Sequence, residues 1–161
     1  MTNISNATTA NGKYIINQKP LKPFVKWVGG KSQLLYKLEK LLPNDGNTSY
    51  KKYCEPMVGG GALLFDVLNK YDFEEFYISD NNCELINAYN VIKNDVNTLI
   101  ERLNEMQSAF LLSDSNGRKL YYYAVRDKFN SVNLSPVTAA EKAAYFIFLN
   151  KTCFNGLFRV N

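Results

Sequence analysis

An α/β fold with parallel strands is the reading that three features of this 161-residue sequence support together. Short runs rich in β-branched and aromatic residues alternate with segments of helical period, a triple glycine joins one such run to a helix, and an acid closes the next run. Strand, helix, strand, helix in that order requires crossover connections, the pattern of a parallel sheet. With 46% hydrophobic residues the chain can fill one core of ordinary size and is short for two.

Residues 1–19 are polar and rich in Asn and Thr, and they are expected to form a flexible arm because little apolar surface offsets the entropy of ordering them. From Ser32, the spacing of Leu34, Leu35, Leu38, Leu41 and Leu42 predicts one helical stripe that stops at Pro43. NDGNTS, residues 44–49, is then a loop. Tyr50 to Cys54 reads as a strand, Ala62 to Asn69 as the helix after the glycines, Phe73 to Ser79 as a second strand and Glu84 to Lys93 as a second helix. Val96, Leu99, Ile100, Leu103 and Met106 mark a third helix, and Leu120 to Phe129 a tyrosine-rich fourth. Thr138 and Glu141 have the spacing of a capping box and open an apolar helix through Leu149. The expected organisation is a flexible arm over 1–19, a ligand-binding α/β part over 20–94 and a helical part over 95–161.

Composition excludes several chemistries. No histidine is present, which removes Ser/His/Asp triads, Cys/His dyads and most zinc catalysis. Cys54, Cys83 and Cys153 are widely separated and odd in number, a poor basis for a disulfide framework or a metal site, so reduced thiols in a cytoplasm are expected. The first residues lack the basic and apolar regions of a signal peptide, and no window approaches the roughly 20 apolar residues of a membrane span. A net charge of +4 permits contact with phosphates without demanding it.

CEPMVGGGALLFD, residues 54–66, carries most of the functional signal. A glycine turn between strand and helix lets a ligand approach backbone N–H groups at the carboxyl end of a sheet. Asp80 lies at the end of the next strand, about 20 residues on, where a carboxylate accepts hydrogen bonds from ribose hydroxyls. The dinucleotide fingerprint would need a third glycine where Leu64 stands, which weakens an NAD reading. GGKS at 29–32 resembles the end of a phosphate-binding P-loop, but Val25 occupies the position of its first glycine. A ligand with a ribose and no pyrophosphate remains.

Four blocks then carry a resemblance: KPFVKWVGGK at 22–31, CEPMVGGGALLFD at 54–66, ISDNNCELINAYNVIK at 78–93 and FLNKTCFNGLFRVN at 148–161. Together, and in this order, they resemble the Dam-type adenine-N6 DNA methyltransferases of the D12 class. The resemblance implies a partial Rossmann-like, S-adenosylmethionine-dependent methyltransferase fold, double-stranded DNA as partner, and a bacterial or phage-encoded protein. It implies Trp27 and Lys31 at the methionine end of S-adenosylmethionine, Glu55 and Gly59, Gly60 and Gly61 lining the pocket, and Asp80 on the ribose. Asn155, Arg159 and Asn161 would open the target-recognition segment and meet DNA, with Lys26 facing it as well.

The same family flips the target adenine and holds its amino group with an Asp-Pro-Pro-Tyr tetrapeptide. The prolines here are at 20, 23, 43, 56 and 136, and no two are adjacent. The expectation is therefore an amino-terminal portion of a methyltransferase, with no catalytic residue assigned and no methyl transfer by this chain alone. A non-catalytic nucleic-acid-binding or regulatory protein is the alternative, and a nucleotide-dependent oxidoreductase stands behind it.

Overall fold

The computed structural model describes residues 7–8, 14–15, 19–42, 50–131 and 137–154. Most of the expected arm and the 44–49 loop lie outside them. Within the arm, β1 (Ala7–Thr8) pairs antiparallel with β2 (Tyr14–Ile15).

The strand, helix, strand, helix order is observed. β3 (Lys52–Glu55) leads through the glycines into α2 (Ala62–Lys70), and β4 (Glu75–Ile78) leads into α3 (Cys83–Asn94). β3 and β4 pair in parallel, with Lys52 opposite Glu75 and Glu55 opposite Ile78. Beyond the ladder the Val58 N–H donates to the Ser79 carbonyl at 2.9 Å, so the two strand ends stay joined where the glycines begin. The result is a two-stranded parallel sheet with flanking helices.

Three further helices follow: α4 (Val96–Leu112), α5 (Ser115–Asn130) and α6 (Ala139–Thr152). α5 starts five residues before the predicted Leu120, because Asp114 caps it by accepting from the Gly117 N–H at 2.7 Å. The Thr138–Glu141 capping box forms as expected. From Ala143 to Asn150 every residue of α6 except Tyr145 is buried, the pattern of a helix enclosed on all sides. α6 packs on α3, α4 and α5, with α3 its largest partner. One apolar core therefore runs from Val25 and Val58 beside the glycine turn to Phe146 and Leu149 in α6.

The leucine stripe after Ser32 does not wind as one helix. It breaks into a 3-10 turn (Lys31–Leu34), a single α-helical turn α1 (Leu35–Leu38) and a second 3-10 turn (Glu39–Leu41). None of these residues is buried, and Leu34 and Leu41 are exposed. Most helical stability comes from packing of the apolar face, and here that face is left largely in solvent.

Candidate functional site

Residues 19–30 have no regular secondary structure, yet Pro23 and Val25 to Gly30 form one wall of a cleft of about 660 Å³. The opposite wall is the turn after β3 and the end of β4, and the volume suits a small ligand. Trp27, Lys31, Gly59, Gly60 and Asp80 all line this cleft, so the structure brings together the glycine turn and the KWVGGK block that sequence spacing treats separately. A smaller cavity of about 320 Å³ lies beside β3 among Tyr53, Val67, Tyr71 and Phe73, away from the glycines and mostly apolar.

The glycines are required by geometry. Gly59 and Gly61 have φ of 55° and 83°, in the left-handed region. A methyl group at Gly61 would come within 2.5 Å of the Tyr89 hydroxyl and 2.8 Å of the Phe65 ring. At Gly60 it would stand 3.0 Å from Trp27 Cβ and at Gly59 3.1 Å from Trp27 Cδ1, so the half-buried indole rests on Gly59. Its other neighbour is the Phe146 ring of α6, at 6.2 Å between centroids. Trp27 thus joins core and cleft. Leu64, where a dinucleotide site would have its third glycine, is buried in the core.

Asp80 follows β4 with both carboxylate oxygens engaged. Oδ2 accepts from the Gly59 N–H and Oδ1 from the Asn82 N–H, each at 2.9 Å. Two charge-assisted bonds fix the carboxylate, and a carboxylate has about four acceptor positions, so about two remain for a ligand's hydroxyls. At the other end of the turn, Glu55 is 4% exposed at the close of β3. Its Oε1 accepts from Lys31 Nζ at 2.9 Å and its Oε2 from the Tyr53 hydroxyl at 2.8 Å. Lys31 Nζ also donates to the Met57 carbonyl at 2.6 Å. Met57 itself holds φ of 57°, unusual for a side-chain-bearing residue, and this conformation belongs to the turn that presents that carbonyl.

Tyr89 of α3 reaches the turn from below, its hydroxyl donating to the Gly59 carbonyl at 3.1 Å. Burial, and after it the charges of Glu55 and Asp80, pushes this phenol well above the ordinary tyrosine value. Burial and the bond to Glu55 do the same to Tyr53. Both therefore stay protonated as donors. Spacing along the sequence could not assign either role, although each carries a signal: a hydroxyl at a position placed inward, by strand alternation for Tyr53 and by the helical period for Tyr89.

Lys26 is exposed beside Trp27 and lines the cleft, while its backbone is bound by Asn150 of α6. Asn155, Arg159 and Asn161 lie outside the described residues. Among the described residues no cluster of His, Cys, Asp and Glu is arranged to hold a metal ion, and no helix is long and apolar enough to cross a membrane.

The sequence match now has a structure to rest on. A family model for D12 class N6 adenine-specific DNA methyltransferases matches residues 27–161. The chain belongs to this family. It is 51% identical over 144 residues to the Type II methyltransferase M.MjaIII of Methanocaldococcus jannaschii, covering 88% of this chain and 49% of that protein. It is 39% identical over 142 residues to the DNA adenine methylase of Haemophilus influenzae, covering 87% and 43%. With the DNA N-6-adenine-methyltransferase of Escherichia phage P1 the identity is 33% over 136 residues, covering 84% and 16%. The chain spans about half the length, or less, of the curated relatives it matches. The D12-class match takes in Trp27, Lys31, Glu55, the three glycines and Asp80, together with residues 155–161.

Proposed function

We propose that the cleft binds S-adenosylmethionine and that the chain serves methyl transfer to the N6 nitrogen of adenine in double-stranded DNA. The observation that carries this reading is the donor set at the two ends of one glycine turn. Asp80 keeps free acceptor positions for hydroxyls, and Lys31 and Glu55 set a cation and an anion 2.9 Å apart. A nucleoside bearing an α-amino acid needs both: acceptors for its ribose, and a cation for its carboxylate, which Lys31 offers while Glu55, buried outside the cleft lining, holds it in place. The side-chain-free turn between them admits the ligand close to backbone.

When bound, S-adenosylmethionine supplies an electrophilic methyl group. The residues of this chain bind and orient: Lys31 is held to Glu55 and Met57, the Trp27 ring covers the turn, and Asp80 is locked by two backbone N–H groups. Such positioning is the main protein contribution to an in-line displacement. We read residues 20–94 as the cofactor-binding part of a Rossmann-like methyltransferase and 95–161 as the helical start of its target-recognition region. Lys26, Asn155, Arg159 and Asn161 are the candidate DNA contacts of that reading. The Asp-Pro-Pro-Tyr tetrapeptide is not among the 161 residues, and we infer that this chain alone binds cofactor without transferring methyl.

Calorimetry with S-adenosylmethionine tests the site, with binding expected for the native chain and lost in Asp80→Ala. No heat from the native chain would overturn the reading. Labelled methyl incorporation into adenine by the purified chain would overturn the inferred inactivity. Salt-sensitive DNA binding with no response to the cofactor would favour the non-catalytic nucleic-acid-binding alternative.

A further inference from the structure

Residues 19–30, which wall the cleft from Pro23 onward, are an irregular strap, so their backbone polar groups have no ladder or helix to satisfy them. Two asparagine side chains take that part. The Asn69 amide, at the end of α2, accepts from the Leu21 N–H and donates to the Leu21 carbonyl, both at 2.9 Å. The Asn150 amide, near the end of α6, accepts from the Lys26 N–H at 2.9 Å and donates to the Lys26 carbonyl at 2.8 Å. Each side chain thus presents one acceptor and one donor to a single strap residue, as a neighbouring peptide group would.

The two clamps differ in setting. The Asn69 clamp is exposed to water, which can replace either bond. Asn150 is wholly buried in the most enclosed helix among the described residues, and Lys26, which it grips, directly precedes Trp27. From that grip the chain runs through the indole resting on Gly59 to Lys31 at Glu55.

We propose that Asn150 is a positioning residue for the ligand cleft: its amide sets the strap against the glycine turn and so holds Trp27 and Lys31 where the ligand needs them. Neither hydrogen bond touches the ligand, and no other buried polar side chain among the described residues reaches the strap from α6. Removing the amide leaves a backbone N–H and a carbonyl without partners beside the core, and they regain partners by moving the strap toward water. The cleft then loses the registry of one wall.

This inference rests on the proposed cofactor reading, and the test separates the two. Trp27 is the only tryptophan, so its emission and its quenching by acrylamide report the strap without any ligand. In Asn150→Leu, similar in volume but without hydrogen-bonding groups, the unliganded Trp27 emission should shift to the red and quenching should increase. Calorimetry should show S-adenosylhomocysteine binding about tenfold weaker, the scale of one net hydrogen bond, at a temperature where circular dichroism still reports a folded chain. Asn69→Ala should leave emission unchanged and affinity within about twofold, because water satisfies Leu21.

Where Asn150→Leu does not fold, hydrogen exchange on the native chain decides. The Lys26 amide should be strongly protected, unlike Lys22, and more so with S-adenosylhomocysteine. Unaltered Trp27 emission and affinity in Asn150→Leu, or a Lys26 amide that exchanges as fast as Lys22, would overturn the proposal. A native chain that binds no S-adenosylhomocysteine, with Trp27 still displaced in the variant, would instead overturn the cofactor reading alone.

Discussion

Two adjoining regions of this molecule, in contact at Trp27, are held together by different physics. Around α6, cohesion is apolar: Ala143, Ala144, Phe146, Ile147, Phe148 and Leu149 are buried against α3, α4 and α5. Around the glycine turn, cohesion is polar and local. Asp80, Glu55, Tyr53, Tyr89 and Lys31 each bind backbone or one another at 2.6–3.1 Å, and little side-chain volume lies between them. An apolar core tolerates no void, whereas a polar turn offers groups that a ligand can share. Substitutions in the first region should therefore act on stability, and those in the second mainly on ligand affinity.

Phe146→Ala is the strongest challenge to that division. The residue is fully buried, and truncating a core phenylalanine costs about 3–5 kcal/mol. Its ring also packs on Trp27, so the division predicts a stability loss and the geometry predicts a change at the cleft as well. Urea unfolding followed by Trp27 emission measures both. A loss below ~1 kcal/mol would refute the central place given to α6.

Gly61→Ala approaches from the other side. The left-handed backbone and the crowding against Tyr89 and Phe65 should together cost about 2–3 kcal/mol, although the residue belongs to the turn. Gly61 then marks the place where the turn is bolted to the core through α3. The expected sign is a lower unfolding midpoint together with weaker binding of S-adenosylhomocysteine. Full stability in this variant would show that the turn floats free of the core.

Much of this was legible in the sequence, and the reason differs by element. The glycine turn and Asp80 were readable because strand, turn and strand-end acid are close in the chain and their spacing follows from the crossover itself. The capping box was readable because its two members are three residues apart. The Asn150 clamp was not, since it joins residues 124 apart. In outline it was signalled by an asparagine closing the apolar run FIFLN, where the helix period leaves no solvent-facing position. The stripe from Leu34 to Leu42 misled for the converse reason: period reports an apolar face but not whether anything covers it.

Asp80→Asn should sharpen the division. The amide retains one acceptor for the Gly59 or Asn82 N–H and loses the charge, and because the site is part-buried water can take the other N–H, so stability should fall by about 1 kcal/mol. Affinity for S-adenosylhomocysteine should fall about tenfold, since the remaining acceptor positions are those offered to the ribose. A stability loss larger than the affinity loss, both expressed as free energy, would place Asp80 with the scaffold instead.

The smallest effect concerns the start of α6, where a polar device serves the apolar region. Glu141 is held below the ordinary glutamate range, first by the Thr138 backbone N–H and then by the Thr138 hydroxyl. A carboxyl whose folded value is depressed contributes stability that is complete above its unfolded value and lost as pH falls through the folded value. Melting temperature should accordingly decline on the acid side of the ordinary glutamate range. Glu141→Gln keeps an acceptor for the Thr138 N–H, so the cap survives and only this part of the pH dependence should flatten. Glu141→Ala should lower stability by about 0.5–1 kcal/mol at neutral pH, with ligand affinity unchanged. Because the side chain is partly exposed to water, the measured slope should also shrink with added salt. If Glu141→Ala weakened S-adenosylhomocysteine binding at neutral pH, the start of α6 would belong energetically to the cleft, and the separation of the two regions would fail at the helix that joins them.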